Sequence, residues 1–366
     1  VTIPTDEEID ARLAALGGER ADGEGGTAST TPSPASFKYV KRLGQVSDSL
    51  IEALNVDQGI GLGLAQVDVL TRGFRPTDLV LVTGFAHSGK TQLVNTMLLN
   101  NPEKRVLFFS LDDPAEMILA KLVAMYTGIG AETLERRVKD GDEEAKSIIR
   151  DTATAWFQNL IVVDDVIGIP QMLVALDEAR DVWGADADAV VIDYVEMMPG
   201  DGHHEDQSAS VKQKMFALKG WAKDCAFPIV ALHQGTRSNA KPGAPITLLS
   251  MGFSGEQQAT IVIGLRRKRD WDDLEAHERD EHRDTVSVHV VKNKRPGGRM
   301  THYDGIDFYM ESDSGLIRPL RDTDLRSRIF NPQAPPQQSV TDAVRAVQQQ
   351  FGGVVVNDQQ SKGEAA

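Results

Sequence analysis

Cysteine is almost absent: Cys225 is the only one in 366 residues, which excludes an internal disulfide framework and a cysteine-rich zinc module and suits a reducing compartment. Positive charge is in deficit. Lys and Arg number 39 against 54 Asp and Glu, a formal net charge of −15, so the chain does not coat nucleic acid or an acidic membrane with its whole surface, and any nucleic-acid contact has to be local. No apolar run approaches the roughly 18 residues of a membrane span, and the opening VTIPTDEEID has neither the basic region nor the apolar stretch of a signal peptide. A cytoplasmic protein with no membrane partner is expected. Large apolar side chains are also scarce from Thr5 to Ser36, where Gly, Glu, Asp, Ala, Thr, Ser and Pro prevail. A disordered arm is expected over 1–36 and a linker segment over 37–58. Residues 321–366 read as a mobile Gln/Pro-rich tail, with one short helix expected over Thr341–Phe351.

Between these ends the pattern is dense. Apolar runs recur at Leu79–Gly84, Val106–Leu111, Leu160–Asp165, Ala189–Val195, Pro228–Gln234, Thr260–Arg266 and Thr285–Val291, with helical patterns in the gaps. The first five are short continuous runs, as found in parallel strands covered on both faces. Ahead of Pro228, Val211, Met215, Leu218, Ala222 and Cys225 fall on one helical stripe, with Lys212, Lys219 and Lys223 on another face. The alternation predicts an α/β fold with a doubly wound sheet, whose ligands sit at the carboxyl ends of the strands.

The chemistry stands where that rule places it. Straight after the first strand comes GFAHSGKT, Gly84 to Thr91, which matches G-x-x-x-x-G-K-[ST] and runs into a helical pattern carrying Leu93, Val94, Met97 and Leu98 on one side. Such a loop curls its backbone N–H groups around phosphate oxygens, with the two glycines giving the close approach and the helix N-terminus adding favourable partial charge. Gly84, Phe85, Ala86, His87, Ser88, Gly89, Lys90, Thr91 and Gln92 are therefore assigned to the phosphates of a nucleotide, with Lys90 reaching the β and γ phosphates and the Thr91 hydroxyl offered to Mg²⁺. His87 is expected to support the loop. Asp193 closes the apolar run AVVI and suits the carboxylate behind the Mg²⁺ shell.

Asp112 and Asp113 follow VLFFSL, and either could position water or cap a helix beginning near Pro114. The residue next to the proline suits capping, so Asp113 is expected to cap and Asp112 to act on water. Gln234, closing PIVALHQ, could sense the γ-phosphate or merely bond within a loop. In VVKNKRPGGRM, Lys292 and Lys294 share one strand face just before a glycine turn. Two clusters are assigned no site. His203, His204, Glu205 and Asp206 match no familiar metal spacing, and the run Arg266 to Arg269 is expected to be interfacial or solvated because adjacent strand residues point oppositely.

Taken in order, these segments resemble the ATPase domain of DnaB-type hexameric replicative helicases, a RecA-like family, in a short, phage-type form. The resemblance covers about 59–320 and runs through GLGLAQVDVLTRGFRPTDLVLVTG, GFAHSGKT, FFSLDDPAEMILAKLVA, LIVVDD, VVIDYVEMM, KGWAKDCAFPIVALHQGTRS, LLSMGFSGEQQATIVIGLRRK and VVKNKRPGG. It implies a RecA-like P-loop NTPase, mostly parallel, with a C-terminal antiparallel extension. It further implies ATP and Mg²⁺ as cofactors, a homo-hexameric ring, single-stranded DNA in the channel, 5′ to 3′ movement, and a primase or loader as partner.

By resemblance, Asp112 takes the place of the family's catalytic glutamate, one methylene shorter. Gln234 would link nucleotide state to the DNA loop, and His233 stands where the family has serine. Direct register puts Lys294 at the family's arginine finger and a shift by one offers Arg295, the residue preferred here because a planar guanidinium suits phosphoryl charge. Arg237 and Lys241 are the local basic groups expected to meet DNA. The stretch ahead of Gly59 leaves no room for the folded N-terminal helical domain or primase of fuller members. A RecA-like recombination mediator and a weakly hydrolysing loader or interaction module are the alternatives weighed.

Overall fold

The computed structural model describes residues 43–47, 50–51, 59–199, 207–225, 227–234, 241–248, 255–321 and 324. The arm at 1–36, the tail helix over Thr341–Phe351, the cluster His203 to Asp206 and Arg237 lie outside the described residues. The chain divides into two units, Val1–Val56 and Asp57–Ala366. In the first, a 3-10 turn at Leu43–Val46 is described. The second carries every strand described below.

Its centre is a sheet of strands β1 (Leu79–Gly84), β2 (Val106–Ser110), β3 (Leu160–Val163), β4 (Ala189–Asp193), β5 (Ile229–His233), β6 (Ile261–Arg267), β7 (Thr285–Asn293), β8 (Ile306–Met310) and β9 (Ile317–Pro319). They lie in the order β3-β2-β4-β5-β1-β6-β7-β8-β9. The first six are parallel to one another, and β7, β8 and β9 add on antiparallel. Helices α1 (Ala65–Thr71), α2 (Lys90–Leu99), α3 (Ala115–Thr127), α4 (Ala131–Lys139), α5 (Glu143–Trp156), α6 (Ile169–Trp183), α7 (Gln207–Asp224) and α8 (Ala276–Glu281) fill the connections. None of them is long and apolar enough to cross a membrane.

β1, β2, β4, β5 and β6 are buried along their whole length, which is why they read as unbroken apolar runs. Alternate residues of β1 feed two separate cores. Val80 and Val82 pack with Leu93, Met97 and Leu122 from α2 and α3, whereas Leu79 and Leu81 pack with Met215, Leu218 and Ala222 from α7. Val211, Met215, Leu218 and Ala222 of the expected stripe are buried and Cys225, just past the helix end, is half-buried. β8 and β9 have no counterpart among the sequence-expected strands. β8 is mostly half-buried, β9 has three residues, and both are mixed in polarity, so no apolar run marks them.

Strand order determines what meets at the carboxyl edge. β1 lies between β5 and β6, and β4 between β2 and β5, so the ends of β2, β4, β5 and β1 are consecutive. Ser110 is in register with Asp193, and Thr83 with His233.

Candidate functional site

The loop after β1 is built for close approach. Gly84 has φ +157°, and a Cβ there would lie 2.5 Å from the Leu265 carbonyl oxygen and 2.6 Å from the Ser88 hydroxyl. Gly89, at φ +99°, sits in a backbone region open to glycine and costly for other residues. His87 adopts φ +59°, exposed at the loop's outer bend. The Ser88 N–H donates to the Phe85 carbonyl at 3.2 Å, closing the loop, and α2 begins at Lys90.

Lys90 is buried and folds over its own loop, donating to the Gly84 carbonyl at 3.1 Å and the Phe85 carbonyl at 2.9 Å. Burial pulls its ammonium down to about 8, against the opposing pull of Asp193 and Glu196. A phosphate would replace two neutral carbonyls with a full charge, a stronger partner in a dry site. The Thr91 hydroxyl donates to Asp193 Oδ2 at 2.8 Å. Burial raises Asp193 to about 6, with Asp113 and Asp112 adding to the rise and Thr91 and Lys90 opposing it. A carboxylate so short of countercharge beside a hydroxyl is a hard-oxygen pair suited to Mg²⁺, which completes its shell with phosphate oxygens and water. The described residues hold no group of three or more His, Cys, Asp or Glu able to bind a metal by themselves.

Asp112 is exposed at the end of β2, the strand next to Asp193. Asp113 does not cap α3, contrary to expectation. Its carboxylate pairs with Lys121, and the first N–H of α3, at Ala115, is instead satisfied by Asp164 Oδ2 at 2.9 Å. Asp164 follows β3, so the cap crosses from a neighbouring strand end. A cap from a residue 49 positions away leaves no local sequence signal.

The Gln234 backbone N–H donates to Glu196 Oε1 at 2.8 Å, and the same oxygen lies 2.6 Å from His233 Nδ1. Glu196 occupies the 3-10 turn Val195–Met197 just beyond Asp193. Sequence reasoning assigned it no role, although an acid three residues after a strand-ending Asp was the available signal. Lys241 is exposed and ion-paired with Asp273 at 3.0 Å. A pair this open is worth about 0–1 kcal/mol and can be surrendered to a phosphate.

Arg295, the residue preferred above as the finger, is engaged within its own chain. Its guanidinium is buried within its own chain, donating to the carbonyls of Thr71 and Gly73 and pairing with the buried Asp78 carboxylate. It clamps the segment leading into β1. Lys294 is the exposed member, with its ammonium 3.1 Å from the Gln257 carbonyl, and Lys292 reaches the same carbonyl at 3.1 Å. Burial lowers Lys292 to about 8, with Lys294 beside it adding to the drop. Asn293 pairs with Ile261 at the start of β6, which runs parallel to β1, so these lysines lie at the sheet end opposite the phosphate loop. A strand of six residues separates the two ends by roughly 20 Å.

The first half of the basic run is not solvated, although Arg269 is exposed. Arg266 and Arg267 are both buried: Arg266 donates to the carbonyls of Gly243 at 3.3 Å and Asp304 at 3.1 Å, and Arg267 to that of Arg283 at 2.7 Å. They do point to opposite faces, but both faces of β6 are covered.

A family model described as the DnaB-like helicase C terminal domain matches residues 59–303. The chain is 27% identical over 224 residues to the replicative DNA helicase DnaB of Haemophilus influenzae, covering 59% of this chain and 47% of that protein. It is 26% identical over 274 residues to the replicative DNA helicase DnaB of Pasteurella multocida, covering 72% and 56% respectively. The chain thus spans about half the length of the curated relatives it matches. Its fold superimposes with a TM-score of 0.64 on a DnaB-like replicative helicase solved in a study of its interactions with primase, at 18% identity, covering 78% of this chain and 69% of that one.

Proposed function

The chain belongs to the DnaB-like helicase C-terminal domain family, and on that premise we propose that it is an ATP-hydrolysing motor that moves along single-stranded DNA and unwinds duplex DNA in replication, working as a ring, in the cytoplasm. The observation that carries the ring is the separation of the two cationic ends. Lys90, Thr91 and Asp193 gather at the carboxyl edge of the sheet, whereas Lys292 and Lys294 stand at the other end, roughly 20 Å away. Lys294 stands too far from its own phosphate loop to act there, so a phosphate site that it serves belongs to a second copy. A hexamer is the assembly that the family resemblance implies.

In this reading the phosphate loop and Lys90 bind and orient the nucleotide, and Thr91 with Asp193 hold Mg²⁺, which neutralises charge on the β and γ phosphates. Asp112 orients the attacking water from the neighbouring strand end, Gln234 responds to the γ-phosphate, and Lys294 of the next subunit meets charge that redistributes in the transition state. Arg237 and Lys241 supply backbone-directed, salt-sensitive DNA contacts. The relatives named above are replicative helicases, which favours this reading over a recombination mediator or a loader. A primase or loader remains a proposed partner.

Strand displacement on forked DNA with Mg²⁺ and ATP tests the function. Unwinding that disappears in Lys90→Ala is expected, and its absence in the wild-type chain together with absent DNA-stimulated turnover overturns the proposal. For the ring, mixing Lys90→Ala with Lys294→Ala, each inactive alone, should restore part of the turnover at interfaces where an intact loop meets an intact lysine. Mixed rings that form and stay inactive contradict the trans role.

A further inference from the structure

We infer that Glu196 is a positioning residue that fastens the Gln234 end of β5 to the nucleotide site, so that the phosphate loop and the segment after Gln234 respond to one another. The inference rests on the proposed ATPase.

Glu196 Oε1 takes two contacts at once, from the Gln234 backbone N–H at 2.8 Å and from His233 Nδ1 at 2.6 Å. Gln234 is the first residue past β5, where the ladder with β1 ends at His233, so its N–H has no strand partner and Glu196 supplies one. The rotation available to the Gln234 side chain therefore starts from a backbone atom held by a carboxylate on the β4 turn. That turn is itself anchored: Asp193 precedes it and holds Thr91, and the Glu196 carbonyl accepts from Lys214 of α7 at 3.3 Å.

A buried carboxylate is an expensive way to cap one N–H, although it accepts more strongly than a neutral amide. Only 12% of the Glu196 side chain is exposed, and its Oε2 has no hydrogen-bond partner among the described residues. The route to the nucleotide site runs along the β4 turn: Asp193, which accepts from Thr91, closes β4 just ahead of the turn that carries Glu196, so a shift of Asp193 as nucleotide and Mg²⁺ arrive moves the acceptor oxygen that holds Gln234. One acceptor oxygen then couples the phosphate-loop end of the site to the residue that opens the following segment.

The test uses the full chain with Glu196→Met, which keeps length and removes the acceptor, and Glu196→Gln, which keeps an acceptor oxygen and removes the charge. Two quantities are read: affinity for Mg²⁺ and ATPγS by calorimetry, and the factor by which an oligo-dT strand stimulates ATP turnover. Glu196→Met should bind nucleotide within about threefold of wild type while losing at least roughly tenfold of the DNA stimulation, a coupling of ordinary size. Glu196→Gln should recover most of that stimulation. Undiminished stimulation in Glu196→Met overturns the inference, as does a Gln variant that folds but is no better coupled than the Met variant. If Glu196→Met fails to fold, the Gln variant decides: wild-type-like stimulation supports the inference and its loss overturns it. A wild-type chain whose turnover ignores DNA overturns the functional reading itself, a result distinct from any variant's behaviour.

Discussion

The two flanks of the sheet bury charge in opposite ways. At the carboxyl edge of the parallel half, Lys90 leans on two carbonyls of its own loop and Asp193 accepts one hydroxyl, and both are pushed off their ordinary titration ranges mainly by burial. In and beside the antiparallel half two buried arginines are locked. Arg295 holds two carbonyls and the Asp78 carboxylate, and Arg318 bonds Glu311 and Asp324 while lying 4.4 Å from the centre of the Tyr309 ring. Under-satisfied charge is what a ligand of opposite sign can complete, whereas saturated charge has nothing left to offer. The difference separates the site from the scaffold.

Breaking the locked side should cost the most stability. Arg295→Ala leaves the buried Asp78 carboxylate with the Arg75 N–H at 2.7 Å but no countercharge and is expected to lower unfolding free energy by about 3 kcal/mol, while Lys294→Ala, one residue away and exposed, changes it by less than about 0.5 kcal/mol. Urea unfolding of both variants measures the contrast. Equal losses would erase the distinction between scaffold and finger.

The next effect is in acid. Burial first, and Arg266 beside it second, lower His289 to about 4 from its ordinary 6.5. The unfolded chain therefore binds more protons between these values, so this group's contribution is present above about pH 6.5 and falls as pH drops toward 4. The loss should approach about 3 kcal/mol, and His289→Gln, which cannot take the proton, should flatten that part of the stability profile. An unchanged acid slope in the variant would show that His289 is not held neutral.

A smaller effect sharpens the account of α3. Asp164→Ala should cost about 1 kcal/mol by removing the acceptor for the Ala115 N–H, and Asp113→Ala about 0.5 kcal/mol or less, since it loses only a half-exposed pair with Lys121. Thermal unfolding of the two variants ranks them. The reverse order would restore Asp113 as the cap.

What the sequence displayed and what it hid follow from the range of the interactions. The phosphate loop was legible because its glycines, lysine and threonine act within one turn of chain, and Asp193 because a continuous apolar strand points to its own end. Asp164 and Glu196 were not, because their partners, the first N–H of α3 and the residue after β5, follow other strands and only the strand order brings them together. The intrachain contacts of Arg295 were hidden for a different reason. Alternation puts Lys292 and Lys294 on one face and Asn293 with Arg295 on the other, where Asn293 meets Leu70 and Arg295 meets Thr71. Chemical preference for a guanidinium outweighed that geometric clue. The buried Arg266 and Arg267 show the complementary error, since alternation was read correctly and the cover on both faces of β6 was overlooked.

The central claim is that the under-satisfied edge of the parallel half is a Mg²⁺–nucleotide site. Calorimetric titration of ATPγS into the wild-type chain and into Lys90→Ala, each with Mg²⁺ and with a chelator, tests it most directly. Saturable binding that requires Mg²⁺ and weakens at least roughly a hundredfold in Lys90→Ala is the expected result, as for loss of one preorganised charge in a dry site. Equal binding by the two proteins, or binding indifferent to Mg²⁺, would contradict it.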